Sequence, residues 1–242
     1  MTADGGVATP FAVIFDMDGV LINSLHWNTK ALVESFATIG LDIPYERHFD
    51  LRGLSLRDQF NHWTTVHKLD VPFDTFITAM FKVYSRQFDD MVRGGPDHEL
   101  TTFLHELTRA NVPFAVGTGR ERRSAIELLD SYHLTNYFGA VVTSDETVNH
   151  KPNPDIFLLA AKGLGIEPNR CVVIEDAEDG IEAAHAGGMA AIGFTGFLTN
   201  PDSSLLPHAD LRINSFAELS IEKLQELASR NAARTSEPVK TA

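Results

Sequence analysis

A doubly wound, mostly parallel α/β sheet interrupted by one all-helical domain is the fold class that the sequence predicts, and three observations predict it. Short apolar runs bounded by turn residues recur along the chain, helical patterns fill the intervals between them, and residues 27–93 break that rhythm. Runs this short do not make typical helices. Strands that alternate with helices imply a parallel sheet covered on both faces.

Taken in order, the first run is FAVIF at 11–15, which ends at two acids. The stretch 27–93 follows. It holds three candidate helices, WNTKALVESFATIG, LRDQFNHWTTVHK and TFITAMFKVYSRQF, and no buried strand. It reads as a helical insert that leaves the sheet near Ser24 and rejoins it near Gly94-Gly95-Pro96. The alternation then resumes: helix at 99–110, strand PFAVG at 113–117, helix at 124–133, strand AVV at 140–142, helix at 155–165, strand CVVI at 171–174, helix at 180–188 and strand AAIGF at 190–194. Asn153-Pro154 suits a helix start with its proline in the first turn, and Gly187-Gly188 a helix stop. Glu121, Arg122 and Arg123 read as a solvated first turn. The expected division is a discontinuous, Rossmann-like core at 1–26 and 94–242, with loose polar ends at about 1–9 and from about 230, and a helical cap domain at 27–93.

The composition narrows the partners. At 242 residues and 43% hydrophobic, the chain can fill one large core and a smaller one. A formal charge of −13 argues against nucleic acid and anionic membrane surfaces. The insert has eight basic and nine acidic residues, so the remainder carries most of that charge. A protein this acidic that handles an anionic substrate must place its cations locally. The one cysteine, Cys171, lies within CVVI, which predicts a buried thiol and no internal disulfide. The first residues carry no basic flank and reach Asp16 too soon for a signal peptide. The stretch AGGMAAIGFTGFL is glycine-rich and shorter than the ~18 residues of a membrane span. A cytoplasmic monomer acting on a small molecule is the expectation.

Ligands of doubly wound sheets collect beyond the carboxyl ends of the strands, and here those ends are chemically distinctive. Asp16, Asp18 and Gly19 follow the first strand; Thr118, Gly119 and Arg120 the second; Lys151 comes shortly after the third; Glu175, Asp176 and Asp179 follow the fourth. On an extended segment the side chains at i and i+2 point the same way, so Asp16 and Asp18 are expected to share one site. Carboxylates gathered beside Glu175 and Asp176 repel unless a cation sits among them, and oxygen-only ligands suit Mg²⁺. A hydroxyl, a glycine amide and a lysine are groups that hold phosphoryl oxygens. Each feature alone could be a turn, a helix-entry loop or a solvated charge, but that coincidence would have to occur four times. The ten histidines show no ligand spacing, and GTGR lacks the later glycine of a dinucleotide fingerprint.

The four segments resemble, in order, the motifs of the haloacid dehalogenase superfamily of aspartate-nucleophile phosphotransferases. Asp16-Met17-Asp18-Gly19-Val20 resembles its DxDx(T/V) motif, Thr118 in VGTGR the second, Lys151 in HKPNPDIF the third, and Glu175-Asp176 in VIEDAEDG the fourth. The resemblance covers 11–27 and 94–215, and a helical cap after the first motif is the habit of the branch that includes β-phosphoglucomutase and the sugar-phosphate and phosphoglycolate phosphatases. It implies Asp16 as nucleophile and Asp18 as general acid and base. It implies Mg²⁺ held by Asp16, the backbone carbonyl of Asp18, and Asp176, with Glu175 binding directly or through water. Thr118 and the Gly119 amide would bind phosphate oxygens, and Lys151 would offset charge on Asp16 and the phosphoryl group, as suits a reaction dominated by positioning and electrostatics. LRGLSLRD at 51–58, with Arg52, Gly53 and Arg57, resembles the substrate-specificity loop of such caps, and its arginines favour an anionic substrate.

The function expected is therefore Mg²⁺-dependent hydrolysis of small phosphorylated metabolites, sugar phosphates first, through an aspartyl phosphate. A β-phosphoglucomutase-like mutase is the alternative. In those relatives a histidine after the first motif gates the acid/base aspartate; that position is Asn28 here, and His26 lies two residues earlier, off the same helix face. A phosphoaccepting switch of the response-regulator kind uses similar residues, but such domains are about half this length and carry the aspartate on a middle strand.

Overall fold

The computed structural model describes residues 10–51, 56–198 and 204–236. They fall into two compact units, one made of the described residues within 1–22 and 95–242 and the other of those within 23–94.

The larger unit is built on β1 (Ala12–Phe15), β2 (Phe114–Gly117), β3 (Ala140–Val142), β4 (Cys171–Glu175), β5 (Ala190–Phe194) and β6 (Leu211–Ile213), all parallel in the order β3-β2-β1-β4-β5-β6. The chain runs outward from β1 to β2 and β3, then crosses back to build β4, β5 and β6 on the other side, so β1 sits where the winding reverses. Such a reversal opens a crevice at the strands' carboxyl ends.

Every residue of β1, β2, β4 and β5 is buried. Alternation along the strands sorts their side chains between two faces. On one face Ala12, Ile14, Ala115, Cys171 and Val173 pack with residues of α6 (Asp155–Leu164) and α7 (Glu178–Ala186), Phe157 and Ile181 among them. On the other, Phe15 meets the rings of Phe103, Phe114, Phe138 and Phe216 at centroid distances of 6.1–6.5 Å. Phe103 comes from α4 (His98–Arg109), whose first turn is capped by the Asp97 carboxylate accepting from the Glu99 and Leu100 amides. Burial of the Cys171 thiol, with Glu167 nearby, pushes its pKa up to about 12.

Three sequence expectations change. Pro154 caps α6 from outside rather than lying in its first turn, and Asp155 accepts from the Asn149 backbone and side chain. Arg122, at the start of α5 (Arg122–Ser131), is tied to Glu146 and the Val141 carbonyl rather than simply solvated. The expected loose end from about 230 is helical to the end of α8 (Ile221–Ser236). Asn231 is buried there because its side-chain amide donates to the Asn169 and Gly188 carbonyls, at 3.0 and 2.8 Å. The expectation for 1–9 falls outside the described residues.

The smaller unit contains α1 (Ser24–Thr38), a 3₁₀ segment at Tyr45–Leu51, α2 (Leu56–Val66) and α3 (Phe73–Arg93), with no strand among its described residues. Its unit begins at Asn23 rather than 27, because α1 already includes Ser24, Leu25 and His26. Leu32, Phe36, Leu41, Ile43, Phe60, Trp63 and Phe76 form its core. The Asn28 side-chain oxygen accepts from the Tyr84 hydroxyl, and Glu34 accepts from Arg86 and Gln87. No helix among the described residues is long and apolar enough to cross a membrane.

Candidate active site

The sheet register gathers the chemistry. Phe15 pairs with Val116 on one side and with Ile174 on the other, so Asp16, Gly117 and Glu175 are the next residues at one common level. The Asp16 amide still donates to the Ile174 carbonyl at 2.9 Å, which fixes the residue's height above the sheet.

Asp16 and Glu175 are almost fully buried, at 6% and 2% exposure, and Lys151 lies between them. Its ammonium donates to Asp16 Oδ1 at 2.5 Å and to Glu175 Oε1 at 2.7 Å. The second Glu175 oxygen accepts from the Ala177 amide at 2.8 Å. Burial works against the lysine's charge, but Asp16 and Glu175 outweigh it and hold Lys151 protonated, with a pKa above its ordinary value. Burial pushes the Asp16 carboxyl up; Lys151 opposes this, while Glu175 and Asp176 add to it. Carboxylate oxygens of Asp16, Glu175 and Asp176 lie within 4.8 Å of one another. Three acids whose oxygens gather this closely, two of them bonded to one ammonium, fit a small divalent cation such as Mg²⁺.

Two glycines make this packing possible. Gly19 has φ +81°, and a Cβ there would lie 2.1 Å from Asp176 Oδ2. A Cβ on Gly180 would lie 1.9 Å from Glu175 Oε1. Gly19 already follows the two acids in the first motif, whereas Gly180 does not stand out in the sequence as part of a site; the fit of each comes from a carboxylate reached through space. The spacing of Gly180 from the acidic pair, EDxxxG, is the signal that was available.

Asp18 is placed by a turn rather than by an extended strand. β1 stops at Phe15, and the amides of Leu21 and Ile22 turn back onto the Met17 carbonyl, so the two-residue alternation of an extended strand does not govern positions 16 and 18. The Asp18 carboxylate is held instead by Arg120, whose Nε donates to Oδ2 at 2.6 Å and Nη2 to Oδ1 at 2.7 Å. That bidentate fork is the geometry in which a guanidinium grips a carboxylate best. The Asp18 carboxylate is not one of the three that gather at Asp16, Glu175 and Asp176; Arg120 holds it instead. Arg120 is a site residue that sequence order placed at the edge without assigning it a role.

Thr118 is 1% exposed; its amide donates to the Val142 carbonyl and its hydroxyl accepts from the Arg120 amide at 3.2 Å. Gly119 has open space where a side chain would begin. Arg57 belongs to the other unit, where its guanidinium lies 4.0 Å from the Phe73 ring centroid. Arg52 and Gly53 fall outside the described residues. His26 Nδ1 is 3.3 Å from the Tyr45 hydroxyl, within the helical unit.

Comparison with known proteins shows the family. A profile of the haloacid dehalogenase-like hydrolases matches residues 13–194, a span that holds all four segments. A fructose-1-phosphate phosphatase of Escherichia coli strain K12 is 33% identical over 180 residues, 74% of this chain and 94% of that protein. The β-phosphoglucomutase of Bacillus subtilis strain 168 is 27% identical over 239 residues, 94% of this chain and 99% of that protein. Among solved structures, a hydrolase of the same family from Deinococcus radiodurans R1, with bound phosphate and sodium, matches with a TM-score of 0.72 at 28% identity, covering 88% of this chain and 94% of that one.

Proposed function

The chain belongs to the haloacid dehalogenase-like hydrolases and is a phosphatase of that family, and on that premise we propose that it hydrolyses small phosphorylated metabolites, sugar phosphates first, through a phosphoryl group carried on Asp16. The observation that carries this reading is the buried Asp16 carboxylate, held at the open end of an apolar strand by Lys151 and faced by Glu175 and Asp176. An Asp16 oxygen attacks phosphorus as the ester P–O bond breaks, and Asp18 gives its proton to the leaving alkoxide. The Asp18 carboxylate then takes a proton from the water that attacks phosphorus, the Asp16–phosphorus bond breaks, and inorganic phosphate leaves. Both Asp18 oxygens are engaged by Arg120 here, so proton transfer requires that pairing to open.

Lys151 offsets charge on Asp16 and on the phosphoryl oxygens, and Thr118 with the Gly119 amide receives those oxygens. Asp16, Asp176 and the Asp18 carbonyl would hold Mg²⁺, with Glu175 direct or through water, and the bound ion would supply further neutralisation of phosphoryl charge. Arg52 and Arg57 serve substrate choice in this reading. The −13 charge argues against nucleic acid and anionic membrane surfaces, and in this reading the protein is a cytoplasmic monomer.

The mutase reading is supported by the Bacillus subtilis relative matched over nearly its whole length. Against it, the gate position is Asn28, whose side-chain oxygen accepts from Tyr84 and which carries no charge near neutral pH. One experiment tests both. Phosphate release is followed over a panel of sugar phosphates, with Mg²⁺ and with chelator, and a β-hexose 1-phosphate is supplied with its bisphosphate primer. Mg²⁺-dependent release supports hydrolysis; full activity in chelator removes the metal assignment, and faster formation of the hexose 6-phosphate than of free phosphate makes the protein a mutase.

A further inference from the structure

A second group of metal-ligating side chains lies outside the Asp16 cluster. Glu178 and Glu182 are one helical turn apart on α7, and His208 comes from the segment before β6; one donor atom from each lies within 4.8 Å of the others. Like-charged side chains at i and i+4 on a helix repel. The His208 ring shares a hydrogen bond with Glu178 Oε1; the Glu178 side chain is 31% exposed, but its other oxygen, Oε2, is buried and has no hydrogen-bond partner among the described residues. A buried carboxylate oxygen without a partner is a costly arrangement that a bound cation relieves.

His208 is also held where it stands. Leu206 is buried at 6% exposure, against Gly193, where a Cβ would lie 2.8 Å from Leu206 Cδ1. On the other side, Asp210 is fixed by three bonds: its amide donates to the Ala191 carbonyl at 2.9 Å, and its carboxylate accepts from the Ala191 amide at 2.8 Å and pairs with His185 at 2.9 Å. The imidazole is therefore presented to α7 by an anchored turn.

We propose that Glu178, Glu182 and His208 form a second metal site, which takes a transition-metal dication of the Zn²⁺ class. Imidazole nitrogen selects such ions over Mg²⁺ and Ca²⁺, and two carboxylates with one imidazole and water complete a tetrahedral shell. Donors bonded to one tetrahedral ion lie about 3.4 Å apart, so modest side-chain rotations close the site. On binding, the imidazole nitrogen exchanges its proton and its bond to Glu178 for the metal. The ion would then tie the turn before β6 to the first turn of α7, two residues beyond Asp176.

The test titrates the whole protein with Co²⁺ as a spectroscopic probe, and with Zn²⁺ by calorimetry, under saturating Mg²⁺. One Co²⁺ per chain is expected in the wild type and in Asp176→Asn. His208→Ala and Glu182→Gln, both at exposed positions, should each weaken binding at least about tenfold while Mg²⁺-dependent phosphatase activity stays unchanged. Thermal midpoints of the metal-free variants verify their folds. Absence of Co²⁺ and Zn²⁺ binding, binding that neither variant weakens, or binding abolished by Asp176→Asn would overturn the proposal.

Discussion

The carboxyl edge of the sheet and the interior of the helical unit bury opposite chemistry. At the edge, Asp16, Thr118 and Glu175 are buried, and Lys151 binds two of them. Inside the helical unit, Phe36 and Phe60 each pack ring on ring with Phe76, the Phe36 and Phe76 centroids 4.6 Å apart, and Trp63 joins the same cluster. Buried charge is costly unless paired, so its presence at the edge points to function. Buried rings stabilise by area and contact and point only to folding. Substitutions in the two places should accordingly separate turnover from stability.

The largest effect is expected at Asp16. Asp16→Asn should lower phosphate release by on the order of 10⁴-fold or more, about 5 kcal/mol of transition-state stabilisation, because an amide is a poor nucleophile. Its far-ultraviolet circular dichroism should match the wild type. Near-normal turnover would remove the nucleophile assignment. Phe76→Ala should do the reverse: loss of a fully buried ring in the helical unit costs about 3–5 kcal/mol in denaturant unfolding. Turnover of p-nitrophenyl phosphate per folded molecule should fall far less than in Asp16→Asn. If Phe76→Ala instead abolished turnover with stability intact, the contrast between the regions would fail.

Gly19→Ala sharpens the boundary of the edge itself. The new methyl would meet the Asp176 carboxylate, and φ +81° is unfavourable for alanine, so a loss of about 1–3 kcal/mol is expected. Because Asp176 must shift, the Mg²⁺ concentration for half-maximal activity should also rise. An unchanged Mg²⁺ response would show that Asp176 does not bind the metal.

These contrasts also explain what could be read from sequence. The core strands were legible because each is a short apolar run, and the edge was legible because charge follows each run abruptly. β6 was not, being three residues of which Leu211 and Arg212 are not buried. α8 was not, because its buried stripe is Leu224, Ala228 and Asn231, and the polar Asn231 disguises the apolar period. Arg120 gripping Asp18, and Gly19 fitting against Asp176, are contacts between segments about 100 or more residues apart, and residue order does not encode them. The specificity loop remains a proposal, since Arg52 lies outside the described residues and Arg57 is seen stacked on Phe73.

The smallest effect is expected from His48, the histidine that interrupts the otherwise uncharged interior of the helical unit. Its ring is 4% exposed and packs near Phe36 and Trp63 at centroid distances of 5.6 and 6.3 Å. No hydrogen bond of normal geometry reaches either ring nitrogen. Burial lowers its pKa from the ordinary 6.5, with the Ile43 backbone opposing weakly. The folded state thus prefers the neutral ring. Above pH 6.5 neither state binds this proton and the burial is without penalty. As the pH falls below 6.5, the unfolded chain takes up a proton that the folded chain resists, so stability is lost toward the lower folded pKa. One such group changes stability by at most about 1.4 kcal/mol per pH unit. His48→Phe keeps an aromatic ring in the same space and removes the titration. Denaturant unfolding of both proteins between pH 8 and 5 should therefore give curves whose separation is constant above pH 6.5 and widens below it in favour of the variant. A separation that stayed constant across the whole range would mean that His48 protonates as readily folded as unfolded, and that the interior of the helical unit is wetter than its packing implies.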